Sequence, residues 1–288
     1  MKLFRKTFSV VLAIAMLFSV PTLADAGEFT REEKLDYLVS SGIPLAFFEN
    51  KEDAEIDNIF ASLYGKDIRY MGSETVSMSE TVDFSGVSPA GVIPESDMKL
   101  IISKVSEVVY DSNKDMYRIK EIYVYVDYIW TSGKPFWQWS DGITVNWDAS
   151  VFTFKSGSFR ANDYKLLVST QNWENTTSLS NPFALAQGGL GYYAKLTFSE
   201  TVLGTTVSAL QHKGSASFTL LPKQSPMYLK TAYTTDTYST AINVEYLHVK
   251  NPGIFSVSFS YNGFGVSASV PLTSDSVAKS TTYYYSYS

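Results

Sequence analysis

The chain has 288 residues, no cysteine and two histidines; 45% of its residues are hydrophobic and 18% are charged. These figures describe a globular protein. They exclude a disulfide scaffold and a cysteine-ligated metal site, and they argue against a wholly disordered chain. The formal net charge of −6 argues against nucleic acid and anionic lipid as partners.

The first 26 residues have the pattern of a secretory signal peptide. Three basic residues within the first six positions precede an apolar run at positions 8–20, and the small residues Ala24 and Ala26 form a cleavage motif. The apolar run is shorter than the roughly 20 residues that a membrane-spanning helix needs. We therefore expect cleavage near Ala26, a secreted bacterial protein, and no membrane span in the mature chain.

Residues 27–67 are rich in charge and predict a small helical hairpin module. Thr30-Arg31-Glu32-Glu33 has the pattern of a capping box at the start of one helix. Asn50 is predicted to cap a second helix, in which the apolar residues of positions 56–64 share one face. A short third turn at positions 44–48 is an open alternative.

Residues 68–273 predict an antiparallel β-sandwich (or open barrel), because short runs of β-branched and aromatic residues alternate with turn residues. The predicted strands are residues 98–110, 117–131, 143–147, 151–155, 164–170, 192–198, 215–221, 227–234 and 241–249. The first of these runs also fits a helix, but the turn residues at 111–115 favour a strand. The low-complexity tail, residues 274–288, fits either a final edge strand or a loose end.

The clearest hairpin signal lies near the end of the chain. Residues 255–261 and 264–270 each alternate apolar residues with Ser or Gly, and Asn262-Gly263 stands between them. This dipeptide favours a type I′ turn. The resulting register places Phe259 opposite Val266, with all the apolar side chains on one face.

Two short motifs suggest ligands but have simpler explanations. Gly189-x-Gly191-x-x-Ala194 resembles half of a dinucleotide fingerprint, but a strand-like sequence follows where the motif needs a helix. Asp111-x-Asn113-x-Asp115 opens like a calcium loop, but the later ligand positions do not fit, and a hairpin turn explains it. We therefore expect no cofactor and no metal.

No motif identifies a catalytic residue. His212 and His248 fit surface or hydrogen-bonded structural histidines, and nothing in the sequence places a serine or a carboxylate beside either one. Enzyme activity stays open, and the sequence leans against it.

Aromatic side chains form the best candidate binding surface. Trp130, Trp137, Trp139 and Trp147 fall within 18 residues, together with Tyr128. Exposed aromatic rings bind the apolar faces of sugars and also bind proteins. The alternative is that these rings fill the core of the sandwich.

The main functional hypothesis is a secreted non-enzymatic binding module whose aromatic surface holds a glycan, a cell-wall polymer or a protein. One alternative is a membrane-active protein. The Ser-rich alternating hairpin at residues 255–270 resembles the stem segments of aerolysin-type pore formers, which implies insertion into a bilayer. Its seven-residue strands are shorter than the about 9 to 11 residues that span a membrane. An extracellular hydrolase and a structural surface-layer protein are further alternatives.

Overall fold

The computed structural model describes residues 29–75, 98–130, 140–195, 199–223, 226–229, 238–249, 258–262, 265–269 and 276–287. The predicted signal peptide, residues 1–26, lies outside them. The described chain is mainly β, with antiparallel sheets and two short α-helices, so the predicted fold class is confirmed. The contacts divide it into two compact units, with the main boundary between Tyr64 and Gly65.

The helical unit contains α1 (Arg31–Ser40), a 3-10 turn at Leu45–Phe48 and α2 (Asp53–Leu63). Thr30 and Glu33 form the predicted capping box: the Glu33 main-chain N–H donates to Thr30 Oγ1 (3.3 Å), and Thr30 N–H donates to Glu33 Oε2 (2.7 Å). The predicted Asn50 cap of the second helix is wrong. Glu52 is the N-cap, and its main-chain N–H donates a hydrogen bond to Glu55 Oε2 at 2.8 Å.

The described residues of the β unit form sixteen strands, which we number in chain order. They are β1 (Ile68–Thr75), β2 (Met98–Asp111), β3 (Met116–Trp130), β4 (Ser140–Trp147), β5 (Phe152–Phe154), β6 (Arg160–Leu166), β7 (Trp173–Leu179), β8 (Ala184–Ala186), β9 (Gly189–Lys195), β10 (Ser199–Val202), β11 (Thr205–Ser208), β12 (His212–Pro222), β13 (Tyr238–Val249), β14 (Ser258–Asn262), β15 (Gly265–Ser269) and β16 (Ser276–Tyr287).

Two larger sheets form the sandwich. The first sheet has the order β1-β2-β3-β12-β6-β7, with β5 also paired to β12. The second sheet has the order β16-β13-β4-β9-β8, so the tail forms an edge strand against β13. All of these pairings are antiparallel. Two separate hairpins, β10–β11 and β14–β15, complete the described part of the fold.

The core lies between the inward faces of the two sheets. Alternate residues of β3, such as Val124 and Val126, pack in one apolar cluster with alternate residues of β4, such as Ile143 and Val145. Alternation places every second side chain on the same face of a strand. Burial of each such aliphatic side chain contributes about 1.5 to 3 kcal/mol. The period-two pattern of the sequence is therefore the main cause of the sandwich.

The strand predictions differ from the structure at β6 and β7. The predicted strand at residues 164–170 is wrong in its bounds, because β6 begins at Arg160 and ends at Leu166. Strand β7 was missed, since its Thr, Asn and Ser residues resemble a loop. Of the predicted strand at residues 227–234, residues 230–234 lie outside the described residues, and Tyr228 forms an antiparallel bridge with Arg118.

The C-terminal hairpin forms, but its predicted register is wrong by two residues. Phe259 pairs with Ala268 instead of Val266, and Asn262 pairs with Gly265. A shift of two residues keeps each side chain on its original face, because the side-chain period of a strand is also two. The predicted apolar face therefore survives the change of register.

Candidate functional site

Six buried side chains join the two sheets where several strands end. We call them the inter-sheet polar cluster: Tyr128, Trp130, Asp141, Asp163, Tyr246 and His248. Trp130 ends β3, Asp141 lies next to the start of β4, and His248 lies next to the end of β13. Buried polar groups need hydrogen-bond partners, and this cluster supplies them across the sandwich.

Asp141 is the acceptor of one half of the cluster. Its carboxylate accepts from the Tyr246 hydroxyl at 2.5 Å and contacts His248 Nδ1 at 2.9 and 3.0 Å. The indole N–H of Trp130, from the first sheet, donates to the Tyr246 oxygen at 3.2 Å. Because a carboxylate accepts hydrogen bonds, this contact orients His248 with its Nδ1 proton toward Asp141.

Asp163 is the acceptor of the other half. It accepts from the Tyr128 hydroxyl at 2.7 Å and from the main-chain N–H of Lys195 at 2.9 Å. Burial, the largest cause, raises the pKa of Asp163 to about 7; the hydrogen bonds from Lys195 and Tyr128 oppose this rise, and the nearby charge of Asp141 adds to it. The cluster therefore contains a carboxyl group that titrates near neutral pH.

Three of the five predicted binding residues lie in the core. Tyr128 and Trp130 belong to the inter-sheet polar cluster, and Trp147 packs against Phe218 at 5.8 Å while its indole N–H donates to the main-chain oxygen of Gln187. Trp137 and Trp139 lie outside the described residues. Because Tyr128, Trp130 and Trp147 are buried, their rings help to fill the core of the sandwich, which is the alternative stated for them above. A ligand-binding role for the five residues stays a prediction.

The contact between Asp141 and His248 resembles the acid–histidine half of a catalytic triad. His248 is only 4% exposed. Within the described residues, its side chain bonds to Asp141 and to no serine or threonine hydroxyl. Among these residues, no group of three or more His, Cys, Asp or Glu side chains is arranged to hold a metal ion. Asp141 and His248 lie on β4 and β13, neighbouring strands of the second sheet, so their contact links two strands of that sheet.

A second feature lies on the outer face of the second sheet, which we call the aromatic surface: Phe183, Tyr193 and Phe259. The ring centroids of Phe183 and Tyr193 are 4.6 Å apart, and that of Phe259 lies 5.0 Å from Tyr193 and 5.8 Å from Phe183. Phe183 is 67% exposed, whereas the other two rings are half-buried. Mutual packing therefore holds an exposed aromatic ring in a fixed position.

The aromatic surface belongs to two stretches of chain that contain no charged residue. Residues 175–194 supply Phe183 and Tyr193, and residues 251–274 supply Phe259; neither stretch contains Asp, Glu, Lys or Arg. Sequence reasoning missed this surface because it concentrated on tryptophan. The absence of charge was the signal that could have found it.

The Phe259 side of the surface comes from the β14–β15 hairpin, which packs on the second sheet. The Asn146 side-chain amide bonds both main-chain groups of Val266: its Nδ2 donates to the Val266 oxygen at 3.0 Å, and its Oδ1 accepts from the Val266 N–H at 2.8 Å. Leu247, Tyr193, Phe259 and Ala268 form a small apolar cluster beneath the hairpin.

Comparison with known proteins identifies no family. No protein-family model and no curated protein matches the sequence. Among solved structures, a chain described as a pore forming protein is 10% identical, with a TM-score of 0.35; the match covers 75% of this chain and 90% of that chain. A likeness of this size supports no conclusion about function. Neither described helix is long and apolar enough to cross a membrane.

Proposed function

We propose that the protein is a secreted, non-enzymatic binding protein that holds a neutral glycan on its aromatic surface. The observation that supports this most is the position of Phe183, an exposed ring packed against Tyr193 and Phe259. The three rings form a contiguous apolar patch, and contiguous apolar patches mark interaction sites more often than single exposed residues do.

The chemistry of the surface suits a sugar. A flat aromatic ring covers the apolar C–H face of a sugar ring, and neighbouring hydroxyl groups exchange hydrogen bonds with the sugar hydroxyls. Since residues 175–194 and 251–274 offer no charge, a neutral glycan fits this surface better than an acidic or basic one.

Binding without turnover is supported by where the acidic groups lie. Glycoside hydrolysis needs two carboxyl groups that flank the scissile bond. Asp141 and Asp163 are buried between the sheets, bonded to protein groups. The two stretches that form the aromatic surface contain no carboxyl group. A sugar held on Phe183 would therefore meet no acid or base from these segments.

The proposal can be tested by affinity electrophoresis of the secreted protein in gels containing soluble neutral polysaccharides, such as β-glucan, dextran, galactomannan and arabinoxylan. We expect at least one polysaccharide to retard the wild-type protein and Phe183→Ala to lose most of that retardation. The main-chain N–H of Phe183 bonds the Gly191 oxygen, so removal of the ring leaves this anchor in place.

Leu45→Ala is the matched control, because Leu45 is 63% exposed and belongs to the helical unit. It should migrate like the wild-type protein in every gel. Failure of all the neutral polysaccharides to retard the wild-type protein would overturn the proposal, as would equal retardation of wild type and Phe183→Ala.

A further inference from the structure

The geometry points to the β14–β15 hairpin as a part of the glycan site that docks on the second sheet as a separate element. Asn146 holds the docked hairpin in place, and bound glycan stabilises it there. This inference rests on the proposed function. It assigns to Asn146 a positioning role, because Asn146 acts on the site through the hairpin that presents Phe259.

The first step concerns how the hairpin is attached. Strands β14 and β15 pair with each other in a two-stranded sheet of their own. Asn146, on the outer face of β4, replaces a neighbouring strand by bonding both the N–H and the C=O of Val266. One side chain thus supplies the donor and the acceptor that a strand partner would supply.

The second step concerns how closely the hairpin approaches strand β9. A Cβ added to Gly191 would lie 2.6 Å from Cδ1 of Phe259, and one added to Gly189 would lie 2.8 Å from the main-chain nitrogen of Val266. These distances are shorter than non-bonded atoms allow, so both positions need glycine for close approach. The second sheet is therefore shaped to receive this hairpin, and Phe259 lies directly over Gly191.

The third step is thermodynamic linkage. Phe183 and Tyr193 belong to the body of the sandwich, whereas Phe259 belongs to the hairpin. A glycan that contacts rings from both parts binds the docked hairpin more tightly than the undocked one. It must then stabilise docking by the same factor by which docking improves its own affinity. Weakening the Asn146 contact should consequently weaken glycan binding.

The test uses hydrogen–deuterium exchange of the full secreted chain, with Asn146→Ala, Gly191→Ala and the control Asn113→Ala, which changes an exposed turn residue between β2 and β3. Loss of two hydrogen bonds should raise the exchange rate of residues 258–269 about tenfold or more in Asn146→Ala. Exchange in β4 and β13 should stay unchanged. Gly191→Ala should act likewise by displacing Phe259, and Asn113→Ala should match the wild-type protein.

The second readout is retardation by the neutral polysaccharide that binds the wild-type protein. We expect this polysaccharide to slow hairpin exchange in wild type, and Asn146→Ala to bind it several-fold more weakly. Unchanged hairpin exchange in Asn146→Ala overturns the inference whatever the ligand. If the hairpin of Asn146→Ala exchanges faster but the variant binds the polysaccharide with wild-type affinity, the inference is also overturned, while the proposed function stays intact. Absence of all glycan binding overturns the proposed function, and the exchange comparison still decides whether Asn146 seats the hairpin.

Discussion

The carboxylate of Asp163, in the first sheet, accepts a hydrogen bond from the main-chain N–H of Lys195, in the second sheet, at 2.9 Å. The same carboxylate accepts from the Tyr128 hydroxyl. It also faces the charge of Asp141 and lies near the buried phenol of Tyr192. A single titratable group therefore links the two halves of the sandwich, and its ionisation affects the stability of the whole β unit.

Asp163→Asn should change how stability depends on pH. The pKa of Asp163 is raised from 3.8 to about 7, so the folded state binds a proton that the unfolded state has released. The wild-type protein is therefore expected to lose about 2 to 3 kcal/mol of stability relative to Asp163→Asn between pH 5 and pH 8. Chemical denaturation of both proteins at each pH measures this difference. A constant difference across the range would contradict the assignment.

Lys104→Met should show the opposite trend. Lys104 is fully buried on β2, and burial lowers its pKa from 10.5 to about 6. Between these values the unfolded state binds the proton and the folded state does not. Wild-type stability therefore falls as pH decreases from 9 to 7, by about 2 to 3 kcal/mol relative to Lys104→Met. Denaturation curves at pH 7 and 9 should show the variant gaining at the lower pH; an equal effect at both would disprove this account.

Two buried tyrosines should respond in opposite ways to loss of their hydroxyl groups. In the described part of the chain, the Tyr192 hydroxyl is buried without a hydrogen-bond partner, whereas the Tyr128 hydroxyl donates to Asp163. We expect Tyr192→Phe to raise the free energy of unfolding by about 1 kcal/mol and Tyr128→Phe to lower it by about 1 to 3 kcal/mol. Urea denaturation of the pair at pH 7 tests this, and each variant serves as the other's control.

Leu203→Asn should stabilise the β10–β11 hairpin. Leu203 occupies the left-handed region at φ 49°, its side chain is fully exposed, and Gly204 follows at φ 79°. Asn tolerates this conformation better than Leu, since Asn-Gly is the preferred pair for such a turn. A gain of about 1 kcal/mol is expected in thermal denaturation. Leu45→Asn, at an exposed position outside this turn, should give no gain; similar gains in both variants would refute the conformational explanation.

The sequence predicted the sandwich where apolar residues alternate with polar ones, as in β3 and β4. It failed at β6 because Asp163 and Lys165 are buried, although charged residues are normally read as exposed. A pattern of polarity cannot show that a carboxylate has found partners in another sheet. The hairpin register was missed for a different reason: two registers that differ by two residues present the same apolar face.

The candidate sites depend on contacts between distant positions. Asp141 and His248 are separated by 107 positions, and Asn146 and Val266 by 120. No local motif brings such pairs together, since their contact depends on the order of strands in the second sheet. The sequence showed that Tyr128, Trp130 and Trp147 belong to a segment rich in aromatic residues. The sequence could not distinguish rings that fill the core from rings that face solvent.

Calorimetric titration of the secreted protein with the neutral polysaccharide that retards it most is the most direct test of the central claim. We expect saturable binding to the wild-type protein and a dissociation constant raised about tenfold or more in Phe183→Ala, which corresponds to about 1.4 kcal/mol. Leu45→Ala should bind like wild type. Equal affinity of wild type and Phe183→Ala, or no heat with any neutral polysaccharide, would contradict the assignment of glycan binding to the aromatic surface.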